Sequence, residues 1–309
     1  MRSLCHGDRA VLRRWARREE GTVTLWTVLS AWSFDPVPTV GVLVAGAIYA
    51  VAWRSLPTRN GRGRRVAPVS RAWCFAGGLL ALLVAVNGPP DVYAESSFSM
   101  HMVQHVLLQL VAAPLLLLGG PVSVLLRADL RWLPRRALVR ILRSRVVAAV
   151  THPVVAFAAF AVVLVVTHLT PLYELALRHE PVHQVEHLAY LVTALLFWWP
   201  AIGVDPAPHR IGHLYRLLYL MVSMPVTAFL GLAIADAGRV LYSSYAQPTP
   251  WGASGLADQQ AAGTLMWVAG MFTTVPAVGV VLLRWLDDES RREARAPRSA
   301  LVRPPAGAG

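Results

Sequence analysis

The histidines are the residues of this chain whose spacing most clearly allows chemistry. His101 and His105 are four residues apart, and so are His183 and His187, with Glu186 inside the second pair. On an α-helix, residues i and i+4 differ by about 40° and about 6 Å of rise, so each pair shares one face. Neutral imidazole binds copper, zinc, iron and nickel. A glutamate beside such a pair can be a ligand or can fix a histidine tautomer.

Further residues could complete a metal site formed by these two pairs. His168 supplies another imidazole, and Met100 and Met102 flank His101 with thioethers, which are soft ligands for Cu(I). Asp258 could be a ligand, could pair with a protonated histidine, or could cap its own helix. The competing interpretation is that the histidines are polar residues at the ends of hydrophobic segments. His179 fits that interpretation as a loop residue.

Seven apolar segments are long enough to position these residues as membrane-spanning helices, which need about 20 mainly apolar residues each. We therefore predict an all-α polytopic transmembrane bundle of about seven spans. The segments are approximately 37–53, 72–88, 99–118, 146–168, 183–202, 214–235 and 258–285.

The order of the spans brings six histidines to one face of the membrane. Consecutive spans alternate in direction, so the start of the third, the end of the fourth and the start of the fifth share one side. The histidines on that side are His101, His105, His168, His179, His183 and His187. Ionisable groups at membrane depth are costly and tend to be functional. The clustering therefore favours a metal or haem site.

The composition supports a membrane protein and gives it an orientation. Hydrophobic residues make up 55% of the chain and charged residues only 15%, yet the formal net charge is +12, and every basic residue is arginine. Of the 29 arginines, 21 lie in alternate loops and the tail after the last span, whereas the loops on the other side hold two. By the positive-inside rule, the N-terminus is outside, the C-terminus is inside and the histidine cluster faces outward. The basic charge therefore indicates topology, not nucleic-acid binding.

The chain divides into three predicted regions. Residues 1–33 form an Arg-rich N-terminal segment. Three explanations for it remain open: a misassigned start, a stretch lying on the membrane surface, or a missed eighth span. Residues 34–285 form the seven-helix membrane domain, and residues 286–309 a disordered cytoplasmic tail. The two cysteines lie far apart and support neither a disulfide framework nor a thiolate metal site.

Several ordered motifs resemble the CtaG-type cytochrome c oxidase assembly factors (the caa3_CtaG family). They are SMHMVQH at 99–105 with the following APLL and GGP, THLTPLY at 167–173, HQVEH at 183–187, FWWP at 197–200, and DQQAAGTLMW at 258–267. The resemblance covers residues 34–285.

The resemblance implies a non-enzymatic role in maturing a haem–copper oxidase, with copper as the metal. It implies a multi-pass protein of the bacterial plasma membrane whose partners are oxidase subunits and the lipid bilayer. The site residues that it carries over are His101, His105, His168, His183, Glu186 and His187, and also Asp258.

Two other functions remain open from the residues alone. A seven-span zinc-dependent hydrolase would also gather histidines and carboxylates at one membrane face, with Glu186 as general base. A b-type haem redox protein would use two histidines on facing helices as axial ligands.

Overall fold

The computed structural model describes residues 24–57, 67–130, 132 and 134–295. Within these ranges the chain forms helices joined by short loops, with no β-strand. The expectations for residues 1–23 and for 296–309 lie outside the described residues.

The helices follow the predicted segments closely. Their bounds are α1 Leu25–Leu29, α2 Pro36–Arg54, α3 Val69–Asn87, α4 Pro89–Tyr93, α5 Phe98–Val106, a π-helical segment Leu107–Ala112, α6 Ala113–Leu118, α7 Pro121–Arg127, α8 Arg135–Leu142, α9 Arg145–Val150, α10 Pro153–Leu169, α11 Leu172–Arg178, α12 Glu180–Ile202, α13 His213–Ala235, a 3-10 turn Ser243–Tyr245, and α14 Gly255–Arg295.

Six of the continuous helical stretches are long and apolar enough to cross a membrane, and a bent helix pair raises the total to seven. The six are Pro36–Arg54, Val69–Tyr93, Phe98–Arg127, Glu180–Ile202, His213–Ala235 and Gly255–Glu293. The prediction of an all-helical membrane bundle with about seven spans is therefore confirmed. Which terminus lies on which side of the membrane stays a prediction.

The fourth predicted span differs most from the expected helix. It is broken at Thr151 and His152, and its apolar part is the 17-residue helix α10. Pro153 begins α10, where its missing N–H costs no helical hydrogen bond. At 1.5 Å per residue α10 is about 25 Å long, short for a bilayer core of about 30 Å. It is followed by α11, which is bent from it by 74°.

The last helix is longer than predicted. We expected disorder from residue 286, but α14 continues to Arg295. Side chains one turn apart support the extension, since Arg291 forms an ion pair with Asp287 and Arg292 with Glu289. Such pairs stabilise a helix only slightly when they are exposed to solvent.

The third span contains a π-helical segment that begins two residues after His105. Pro114 cannot donate a backbone hydrogen bond, and its ring crowds the carbonyl four residues earlier. Widening the helix over Leu107–Ala112 accommodates this proline within one span. The result is that α5 carries the two histidines as a rigid helix ahead of the widened segment.

The bundle buries two hydrophobic clusters and presents apolar side chains outward. One cluster joins α5, α10, α12, α13 and α14, and the other joins α2, α3 and the second half of the third span. Large apolar residues such as Phe272 and Leu283 are exposed on the outer surface, 78% and 67% respectively. Lipid tails cover surfaces of this kind in membrane proteins.

Helices α13 and α14 approach each other at two glycines. A Cβ on Gly263 would lie 2.5 Å from the carbonyl oxygen of Gly231 and 2.6 Å from the backbone nitrogen of Ala235. Small residues at such interfaces let membrane helices pack closely. Gly279, on the same helix, has open space where a Cβ would be added.

We predict that Gly263→Ala destabilises the protein by about 1–3 kcal/mol, because the new methyl group would force the two backbones apart. The matched variant Gly279→Ala should leave stability unchanged or slightly raised, since it adds the same methyl group to the same helix without a clash. Thermal unfolding of the purified protein in detergent measures both. Equal unfolding temperatures for the two variants would contradict the close packing.

Candidate metal centre

Three helices bring the predicted histidines together. The first turns of α5 supply His101 and His105, and the first turns of α12 supply His183 and His187. The last turn of α10 supplies His168. The ring centroids of His101 and His183 are 5.1 Å apart, and those of His105 and His187 are 5.5 Å apart. The two predicted pairs therefore face each other across one interface.

Two groups of ligand atoms have the separation that a metal ion requires. One group contains His101, His183 and His187, and in it one nitrogen from each residue lies within 4.8 Å of the others. The second group contains His101, His105 and Glu186, and one ligand atom from each again lies within 4.8 Å of the others. His101 belongs to both groups. The atoms of either group could bind one ion together.

His168 lies beside this cluster but outside both groups. Its ring centroid is 6.0 Å from that of His105. Its Nδ1 donates to the carbonyl of Leu164 at 2.8 Å. This bond fixes the tautomer with the proton on Nδ1, so Nε2 carries a free lone pair. His168 is therefore placed to join the site as an additional or exchanging ligand.

The cluster is buried, and several of its polar atoms have no hydrogen-bond partner within the described part of the chain. His101 is 0% exposed, His105 and His168 are 3% exposed, and Glu186 is 5% exposed. The unpartnered atoms are His105 Nδ1, His168 Nε2, His183 Nε2, His187 Nε2 and both carboxylate oxygens of Glu186. Each buried polar atom without a partner costs about 1–3 kcal/mol. Imidazole nitrogens and a carboxylate in this state fit a metal ion, which would satisfy them together.

A tyrosine orients His101. The hydroxyl of Tyr245 donates to the carbonyl of Ala94 at 2.7 Å, so its oxygen accepts from His101 Nδ1 at 2.9 Å. Burial raises the pKa of Tyr245 well above its usual value, which keeps the phenol protonated. His101 Nε2 then carries the lone pair and accepts from His105 Nε2 at 2.9 Å.

Three further tyrosines lie beside the histidine cluster. Tyr242 donates to the backbone carbonyl of His168 at 2.8 Å, and Tyr190 contacts Thr167 beside it. The ring of Tyr173 packs 5.3 Å from His101. Sequence reasoning missed Tyr190, Tyr242 and Tyr245. Tyr242 and Tyr245 lie in the loop before α14, and no periodic pattern there indicates which residues turn inward.

Asp258 belongs to neither group of ligand atoms in the described part of the chain, and its carboxylate forms a helix cap. Its carboxylate accepts from the backbone N–H groups of Phe98 and Ser99 and from the hydroxyls of Ser97 and Ser99, at 2.5–3.3 Å. Asp258 thus caps the first turn of α5 from the neighbouring helix α14. Our sequence-based alternative was a cap on its own helix, and the structure shows the cap on another one.

Other residues considered from the sequence lie outside the cluster. His179 is exposed at the start of α12. Met102 is fully buried and packs in the larger hydrophobic cluster. His152 and His209 contact each other at the opposite end of the bundle, with ring centroids 5.0 Å apart.

The chain is similar in sequence to proteins of mycobacteria. Relatives described as uncharacterized proteins in Mycobacterium bovis and Mycobacterium tuberculosis are 29% identical over 289 residues, which covers 90% of this chain. A similar protein of Mycobacterium leprae is 29% identical over 279 residues, or 88% of this chain. The chain spans about two-fifths of the length of these relatives, since the matches cover 42% of each. No solved structure matches the chain.

A comparison with protein-family models identifies the family of this chain. Residues 47–288 match the model of the cytochrome c oxidase caa3 assembly factors, Caa3_CtaG. That stretch contains every histidine of the cluster, Glu186, both tyrosines of the loop before α14, and Asp258. The match confirms the resemblance seen in the motifs: the chain belongs to the Caa3_CtaG family of cytochrome c oxidase assembly factors.

Proposed function

We propose that this assembly factor binds copper at the buried histidine cluster and passes it to a haem–copper oxidase subunit during maturation. The proposal rests on one observation: two histidine pairs on different helices lie close to each other and to Glu186. Several of the buried nitrogen atoms of these histidines, and both carboxylate oxygens of Glu186, lack hydrogen-bond partners among the described residues. The role is non-catalytic, as the family suggests.

The donor set supports copper as the transported ion. Imidazole nitrogens bind Cu(II) more tightly than other divalent first-row metals in the usual affinity order, and they also bind Cu(I). His101 would bind through Nε2, because Tyr245 occupies Nδ1. His183 and His187 would complete one group, and His105 with Glu186 the other.

The hydrogen bond between His101 and His105 supports a site that releases its ion. In the absence of a ligand, His101 Nε2 accepts from His105 Nε2. Ion binding at His101 replaces this bond, and ion release restores it. The restored bond offsets part of the free energy lost on release, which favours transfer over trapping.

The packing of the rings favours an ion over a haem. The histidines that face each other across helices are too close, since the ring centroids of His101 and His183 are 5.1 Å apart and those of His105 and His187 are 5.5 Å apart. A porphyrin ring has no room between them. Zinc remains the competing ion, since Glu186 could act as a base on a zinc-bound water in the hydrolase alternative.

The positive-inside rule predicts the side of the membrane on which the histidine cluster lies. With the Arg-rich loops in the cytoplasm, the histidine cluster faces outward from a bacterial plasma membrane. An oxidase subunit approaching from that side is the proposed recipient.

We predict that the purified protein binds about one copper ion per chain and that His105→Ala with His187→Ala abolishes this binding, because each ligand group loses a member. The matched control is His152→Ala with His209→Ala, which removes two contacting imidazoles from the opposite end of the bundle. Metal analysis of detergent-purified protein after copper or zinc loading measures the difference. A wild-type protein without copper, or a cluster variant that binds equally well, would contradict the site; selective zinc retention would favour the hydrolase.

Asp258→Asn is predicted to lower stability by about 1–3 kcal/mol while leaving the copper stoichiometry unchanged, since an amide replaces one acceptor oxygen by a donor. Asp236→Asn is the control, because Asp236 is exposed at the end of α13. Thermal unfolding and metal analysis on the same preparations distinguish the two roles. Loss of copper at unchanged stability would instead identify Asp258 as a ligand.

In cells lacking the gene, we expect the oxidase to be made but to contain less copper and to have reduced activity. Re-introduction of the wild-type gene or of the His152→Ala, His209→Ala variant should restore both, and the cluster variant should not. Oxidase activity and copper content of isolated membranes measure the effect. A fully copper-loaded oxidase in the deletion strain would refute the assembly role in copper delivery.

A further inference from the structure

The end of the bundle opposite the histidine cluster contains a cavity lined by hydrogen-bond donors. The cavity, about 130 Å³ in volume, lies beneath the loop that joins α12 to α13. Its lining includes Trp199, Asp205, His209, Arg210 and Arg216. A second cavity of about 220 Å³ shares Arg210 and Val204 with it. Arg210 therefore stands between two adjoining cavities.

Two donors in the lining of this cavity lack acceptors. The indole nitrogen of Trp199 and the Nε atom of Arg216 are both buried without a hydrogen-bond partner in the ranges that the structure describes. Arg284 and Arg210 both act electrostatically on Arg216, and both are positive. Arg284 donates to the backbone carbonyl of Ile202, at 3.5 Å.

The one acidic residue in the lining does not neutralise these arginines. The carboxylate of Asp205 accepts from the backbone N–H groups of Val122 and Ser123, at 3.0 and 2.7 Å, and so holds the first turn of α7. The cavity thus has an excess of positive charge and N–H donors. A group with several acceptor oxygens and negative charge would satisfy it.

A glycine makes room for the central guanidinium. Gly203 ends α12 with φ of +62°, and a Cβ there would lie 2.5–3.1 Å from the guanidinium atoms of Arg216. The guanidinium therefore lies directly against the backbone of Gly203. This close fit holds Arg216 at the cavity, where a flexible surface arginine would extend into solvent.

Lipid-facing residues adjoin the same cavity. Tyr215 and Leu218, on the turn of α13 that carries Arg216, are 68% and 49% exposed. An acyl chain can lie along that apolar surface while its headgroup enters the cavity. Basic pockets between transmembrane helices bind anionic headgroups in this arrangement.

We propose that this cavity binds the phosphate group of an anionic phospholipid, with Arg210 and Arg216 as the principal contacts and Trp199 as a further donor. The site is independent of the histidine cluster and does not rest on the proposed copper function. Its binding would tie the α12–α13 loop to the bilayer surface.

The test compares lipid binding by the full-length protein in a neutral detergent, followed by native mass spectrometry and thermal unfolding. Dioctanoyl-phosphatidylglycerol is the anionic probe, dioctanoyl-phosphatidylcholine the zwitterionic one, and inorganic phosphate the lipid-free one. Wild type should bind phosphatidylglycerol at least ten-fold more tightly than phosphatidylcholine. Arg210→Gln with Arg216→Gln should abolish that preference.

A charge-matched control is Arg136→Gln with Arg140→Gln, two exposed arginines of α8 that do not line either cavity. This control should keep the preference of wild type. Arg210→Gln alone changes an exposed residue and should weaken phosphatidylglycerol binding several-fold, which keeps the test valid if the double variant fails to fold.

Three results would overturn the proposal. The Arg210 variants could retain the full preference, or the α8 control could lose it equally, which would indicate non-specific attraction. Inorganic phosphate could stabilise the protein as strongly as phosphatidylglycerol at the same concentration, which would assign the cavity to a free anion.

Discussion

The cap that Asp258 places on α5 is the interaction on which the histidine cluster depends. The first N–H groups of a helix have no partner inside that helix, and here they are buried among other spans. The carboxylate of Asp258 satisfies two of them and joins α5 to α14. Because His101 lies one turn after the cap, its position follows from this contact. A ligand residue at Asp258 would have left that helix end unsatisfied.

Hydrogen bonds to Nδ1 determine the tautomers of His101 and His168. The hydroxyl oxygen of Tyr245 accepts a hydrogen bond from His101 Nδ1, and the carbonyl of Leu164 accepts one from His168 Nδ1. Both histidines therefore direct an Nε2 lone pair toward the interior of the bundle. Such outer contacts orient the ligands of metal sites and raise their basicity. The loop before α14 thus contributes to the centre through tyrosines, although it supplies none of the histidines.

The sequence predicted the parts of this protein that depend on local pattern. Apolar segments located the helices, and the spacing of His101 with His105 and of His183 with His187 identified the cluster because both pairs lie on helix faces. The sequence did not indicate that Asp258 caps α5, since its hydrogen-bond partners lie about 160 residues earlier in the chain. Hydropathy does not reveal the break before Pro153, the bend between α10 and α11, or the ion pairs that accompany the extension of α14.

The same physical rule relates the two ends of the bundle. Burial of a polar atom within a membrane protein is costly unless a partner satisfies it. At one end the unpartnered atoms of Glu186 and of the histidine rings are mainly acceptors, and these fit a cation. At the other end the unpartnered atoms of Trp199 and Arg216 are donors, and these fit an anion. The unpartnered atoms that line each site therefore suit ligands of opposite charge, and the unpartnered Nδ1 of His213 lies outside the lining of the cavity.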